Sequence, residues 1–134
     1  MSTISNAAST IIFLESLKTG NLILIRALIY SQGPNKCTDG DVAETVASHL
    51  GNEILLKYPA KLIQALSEEK RMDLYAMVEL ENKDWFAVEC DNDKCKSERK
   101  KFFSQKRTAL TNAKIQKSLE PIRNSLLQHL KNDL

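Results

Sequence analysis

The stretch Asp39–Leu66, DGDVAETVASHLGNEILLKYPAKLIQAL, constrains the fold more than any other part of the chain. In its first half Val42, Ala43, Val46, His49 and Leu50 recur at helical spacing and share one face. Thr38 and Asp41 make an imperfect capping box: the hydroxyl accepts an N–H, and the carboxylate favours the positive helix N-terminus. Gly51 and Asn52 then offer a C-terminal stop. Ile54, Leu55 and Tyr58 occupy the next turn. Pro59 follows, and proline is best tolerated in the first turn of a new helix, so a second helix is expected from about Pro59. Leu62, Ile63 and Leu66 form its apolar face, with Lys61, Gln64 and Glu68 turned to water. Two short amphipathic helices in one hairpin cannot bury their stripes alone. They need neighbours.

The flanking segments supply them. Residues 1–6 are polar and expected to fray. Ile11, Ile12, Phe13, Leu14 and Leu17 make a first helix that Gly20 ends, and Asn21 can cap the next. Leu22, Ile23, Ile25, Leu28 and Ile29 are apolar on more than one side, which predicts a central, well-buried helix. Gln32–Asn35 forms a loop. After Leu66, Met72, Tyr75, Ala76, Met77 and Val78 suit a helix, preferred because its surroundings are helical. The alternative is a β-hairpin of YAMVEL and WFAVEC around ENKD. Trp85, Phe86 and Val88 anchor a connector. A basic helix follows over roughly 97–113, with Phe102, Phe103, Ala109 and Leu110 inward. The last helix, roughly 114–130, buries Ile115, Leu119, Ile122, Leu126, Leu127 and Leu130. Pro121 within it predicts a kink or a late start.

The expected fold is therefore all-α: one domain over 1–134, with six or seven short helices in successive antiparallel hairpins. This pattern resembles a small HEAT-like α-solenoid, although no repeat of fixed length aligns. An irregular compact bundle is the alternative. A hydrophobic content of 43% with 27% charged residues is globular in character. The longest apolar run is too short to span a bilayer. MSTISNAASTIIFLESLK has no basic region ahead of its apolar stretch, which fits either a cytoplasmic protein or a mature form whose signal has been removed. A cytoplasmic protein is expected, with a processed periplasmic or secreted form carrying a Cys90–Cys95 disulfide as the alternative.

The net charge of +2 conceals an asymmetry. Residues 68–93 hold nine acidic and three basic side chains, a balance of −6; residues 94–107 hold seven basic and one acidic, a balance of +6. The two blocks can pair with each other. Alternatively, Lys94, Lys96, Arg99, Lys100, Lys101, Lys106 and Arg107 form an anion-binding surface for nucleic acid or anionic lipid. Two points oppose that use. Phe102 and Phe103 stand at core spacing from Ala109 and Leu110 rather than as stacking platforms, and the neighbouring acidic block repels a polyanion.

Catalytic chemistry is not legible. Cys90 and Cys95, separated by DNDK, suit either reduced thiols or a short disulfide, with Cys37 left over. Zinc lacks further ligands at the required spacing. Two stretches resemble a calcium loop and both fail: reading Asn35, Cys37, Asp39 and Gly40 as loop positions puts Val46, and reading Asp91, Asp93 and Cys95 puts Phe102, where the bidentate Glu belongs. His49 and His129 lie on apolar edges with no nucleophile at a telling distance, and read as half-buried packing residues. Tyr30, Tyr58 and Tyr75 read as core residues with a wet hydroxyl. No enzyme activity, metal or cofactor is therefore expected. A protein-binding surface is, with Asp84, Glu89, Asp91 and Asp93 as its charges and Trp85 and Phe86 as aromatic anchors. In size and architecture the chain resembles bacterial immunity or inhibitor proteins that cap a toxin or an enzyme.

Overall fold

A computed structural model describes residue 15 and residues 18–31, 49–71 and 92–132. The described residues are mainly helical, with no strand among them. In chain order these are α1 (Leu22–Ser31), a π-helix (His49–Ile54), α2 (Leu55–Lys57), α3 (Pro59–Glu68), α4 (Asp93–Asn112), a 3₁₀ turn (Lys117–Leu119) and α5 (Glu120–Asn132). The first expected helix, apart from its C-terminal turn, and the segment holding the helix-or-hairpin alternative lie outside the described residues.

The start of α1 follows from two residues of local chemistry. Gly20 adopts φ +63°, the left-handed conformation that ends a helix at least cost in glycine. Asn21 then turns its side chain onto the next helix, Oδ1 accepting from the N–H groups of Ile23 at 2.8 Å and Leu24 at 3.3 Å. The Gly20 position also demands an absent side chain. A Cβ there would lie 2.5 Å from the Tyr58 ring. Tyr58 reaches the same joint with its hydroxyl, which donates to the Lys18 carbonyl at 3.3 Å.

One face of α1 is buried as expected through Ile25, Leu28 and Ile29. The opposite face is not: Ile23 is 74% exposed and Tyr30 59% exposed. The expectation of a well-buried helix, drawn from its being apolar on more than one side, is corrected here, as is the core placement of Tyr30. α1 packs chiefly against α3. Arg26 spans the contact, with Nη1 3.1 Å from Glu68 Oε2 and Nε 2.7 Å from Glu69 Oε1. Glu68 is thus one half of an ion pair rather than a bare solvated charge.

The break expected at Gly51 and Asn52 takes a different form. His49–Ile54 is one wide π-helical turn that runs directly into α2. His49, Leu50, Gly51 and Ile54 are all buried in it. Burial favours continuing the backbone hydrogen bonds over exposing them at a cap, and glycine leaves room for the wider turn. The real break is at Tyr58, at φ −134° and ψ 58°, and α3 begins at Pro59 as the proline predicts. α3 buries Leu62, Ile63, Ala65 and Leu66. Phe103 and Leu110 of α4 and Ile122, Leu126 and Leu130 of α5 join the same core.

α4 starts earlier than the sequence reading placed it, because Asn92 caps it and accepts from the Cys95 N–H at 2.8 Å. α5 starts later. Pro121 lies in its first turn, leaving residues 113–116 outside any helix. That late start creates the groove described next.

Candidate functional site

The seven basic residues proposed as an anion surface all lie on α4, and burial divides them. Lys94, Lys96, Lys100 and Lys101 are exposed, whereas Arg99 and Arg107 are half-buried. Lys106 is only 1% exposed. Helical geometry disperses the exposed four further: Lys94 and Lys101 share one stripe with Glu98 between them, while Lys96 and Lys100 lie on another. The placement of Lys106 corrects its role as a surface cation. Phe103, Lys106 and Leu110 stand at i, i+3 and i+7, all on the face turned to the core. This apolar frame was the available sequence signal, masked by the assumption that lysine faces water.

Two aromatic faces receive the buried ammonium: Lys106 Nζ lies 4.9 Å from the Phe102 ring centroid and 5.8 Å from that of Phe103. No described carboxylate pairs with it. Burial consequently pushes its pKa down from the ordinary lysine range to about 7. Along the same helix, Nε of Arg99 and Nη1 of Arg107 are buried without a hydrogen-bond acceptor among the described residues.

His49 is buried more fully than the half-buried packing expected of it, with Nδ1 3.4 Å from Glu53 Oε1 one turn on. Desolvation lowers its pKa, against the opposing pull of that carboxylate. The residue favours neutral imidazole packed in the core. Among the described residues no group of His, Cys, Asp and Glu could hold a metal ion, and no helix is long and apolar enough to cross a membrane.

Of the proposed acidic surface, Asp93 opens α4 and is exposed. Asp84, Trp85, Phe86, Glu89 and Asp91 lie outside the described residues, as do Cys37 and Cys90. Cys95 sits in the first turn of α4 rather than in a loop, and is disulfide-bonded.

Two surfaces unnoticed in the sequence emerge from the packing. One is the outward face of α1, where Ile23, Ala27 and Tyr30 recur at i, i+4 and i+7. The other is a groove of about 460 Å³ between α3 and the connector leading to α5. Gln64, Ser67 and Glu68 line it on the α3 side, and Lys114, Gln116 and Ser118 on the other. Ala60, Ile115 and Leu119 add an apolar part. Within this wall Gln64 Nε2 donates to Glu68 Oε1 at 3.1 Å. The chain matches no known family model, and no curated protein or solved structure shows significant similarity to it.

Proposed function

We propose that residues 1–134 form one helical domain, with six or seven helices in successive hairpins, that acts as a non-catalytic protein-binding module. The observation that carries this reading is the outward face of α1. Ile23 and Tyr30 are large, apolar or aromatic, and more than half exposed on a helix whose other face is fully committed to the core. Tyrosine is enriched where one protein grips another, because its rigid ring gives contact area at little entropic cost. The acidic residues Asp84, Glu89, Asp91 and Asp93, with Trp85 and Phe86, supply a charged element that would select a basic partner, as an immunity or inhibitor protein does when it caps a toxin or enzyme. The dispersal of the α4 cations and the burial of Lys106 make an anion surface the weaker reading.

Affinity capture with and without nuclease tests this. A single protein retained after nuclease treatment is expected, lost on the double substitution Ile23→Glu, Tyr30→Glu and on the triple substitution Asp84→Lys, Glu89→Lys, Asp91→Lys. Retention by both variants would remove the reading. Capture that disappears with nuclease, and with Lys100→Glu, Lys101→Glu, would instead select the basic helix. The disulfide at Cys95 supports the exported alternative for the compartment, since such bonds persist where the surroundings are oxidising. Alkylation of the denatured, unreduced chain should accordingly label one thiol of the three. Three labels would return the chain to the reduced, cytoplasmic alternative.

A further inference from the structure

Among the described residues the core closes over two polar side chains, and both are bases. His49, 4% exposed, opens the π-helix, and Lys106, 1% exposed, lies within α4. α2 packs against both of these elements. The α1–α3 contact is built otherwise. The buried residues of α1 and α3 are all apolar, and the Arg26 ion pairs with Glu68 and Glu69 are only partly covered.

Nothing described near Lys106 balances a charge. On α4 itself the neighbours are Arg107, next in sequence, and Arg99, two turns back; each has a buried nitrogen without an acceptor among the described residues. From α2 comes only the exposed Lys57. From α3 come the exposed Lys61 and a Glu68 already held by Arg26 and Gln64. From α5 come His129 and a Glu120 that faces Arg123 at 3.9 Å. The Lys106 ammonium therefore meets phenylalanine faces and no described carboxylate. His49 does have one, Glu53 at 3.4 Å, but that side chain is half in water.

Burial penalises the charged form of a base, so both residues pack best when neutral. It lowers the Lys106 pKa to about 7 and that of His49 below the imidazole value. Unfolded, the two take up protons from ~10.4 and ~6.5. In each case the unfolded chain binds its proton first as the pH falls, so stability declines with it. Lys106 acts between ~10.4 and about 7, and His49 acts below ~6.5. Ordinary carboxylates titrate lower, near ~4.

We propose that His49 and Lys106 together form an acid-sensitive lock. Uncharged, they let the π-helix, α2 and α4 share one core; protonated in weak acid, they loosen α4 from it while the α1–α3 contact holds. The lock opens above the range of ordinary acid denaturation, so the face of α4 now turned inward becomes accessible on mild acidification.

The test is amide protection of the full, unreduced chain by hydrogen exchange at about pH 8 and about pH 5.5, corrected for the intrinsic pH dependence of exchange. Protection of residues 54–57 and 103–110 should fall roughly tenfold or more, tenfold being what Lys106 alone gives over that interval. Protection of residues 25–29 and 62–66 should fall less than about threefold. Lys106→Met should keep only the part of the fall below ~6.5, His49→Gln only the part above it, and the double variant neither. Unchanged protection in the unmodified chain, an equal fall in all four segments, or a fall that persists in the folded double variant would each overturn the proposal. The first two outcomes need no variant, so they decide the matter even where a substitution prevents folding.

Discussion

α3 and α4 both bury one face in the same core, yet they do so with different materials. α3 turns Leu62, Ile63, Ala65 and Leu66 inward and keeps its charges at the rim. α4 is twice as long and mostly polar, and its fully buried residues are Phe103, Lys106 and Leu110. In α3 burial is favourable at every inward position. In α4 it is favourable at two and opposed at the third, where an ammonium gives up water for the faces of two phenylalanines. Cation–π attraction offsets that desolvation in part, on the order of 1–2 kcal/mol, against a penalty of several kcal/mol for an isolated buried charge. The lesson is that hydropathy period reports where a helix buries a face, but not whether each residue on it gains by being there.

The largest expected effect breaks this contrast by making α4 resemble α3. Lys106→Met keeps the volume and removes the charge, and should stabilise the fold by roughly 2–4 kcal/mol at pH 7 in a denaturant titration. The pH dependence supplies a sharper check. The Lys106 amine titrates at about 7 when folded, against ~10.4 in the unfolded chain. Above both values neither state is charged and stability is full. As the pH falls below ~10.4 the unfolded chain takes up the proton first, so stability declines until about pH 7 and then levels. Lys106→Met should lose that slope. A variant with the slope intact, or with lowered stability, would show that the ammonium is not desolvated.

The next effect tests the α1–α3 side through the joint of Gly20 and Tyr58, which precede the two helices. Gly20→Ala forces a side chain into the left-handed region and against the Tyr58 ring. A loss of about 2–3 kcal/mol is expected by thermal or urea unfolding. Neutrality would mean that Tyr58 moves aside freely and that the joint contributes nothing to holding the two helices together.

The smallest effects compare the two regions at their caps. Asn21→Ala removes an acceptor from two N–H groups of α1, and Asn92→Ala from one N–H of α4. Each should cost about 1 kcal/mol, with the first somewhat larger. A larger loss at Asn92 would reverse the ranking and show that α4 depends on its cap because its face contributes less.

The same contrast explains what could be read in advance. Gly20, Asn21 and Pro59 act through their own backbone chemistry within a turn or two, so the boundaries they set were legible. Pro121 marked the break at α5 without deciding between a kink and a late start, and only packing selects the late start at Glu120. The π-helix was hidden because Gly51–Asn52 carries a stop signal that burial overrides. Ile23 and Tyr30 were hidden because apolar composition says nothing of which side meets a neighbour. The groove was hidden for a third reason. It depends on the distance between α3 and a non-helical connector, and no local pattern encodes that distance. Lys106 lay between Phe103 and Leu110 in plain sight, but its burial is a property of the packed helix rather than of the residue.

The wide turn at His49–Ile54 has a consequence for tolerance to insertion and deletion. Each residue of a regular helix advances the next by about 100° around the axis. Excising Gly51 would leave a contiguous helical segment with little change in helix content by circular dichroism. Because a π turn holds about one residue more than an α turn, that loss would let the segment close into regular helix with His49 and Leu50 near their present phase relative to Ile54 and Leu55. The turn thus works as a phase adjuster: it absorbs one residue of length where a regular helix would carry its flank away from the core.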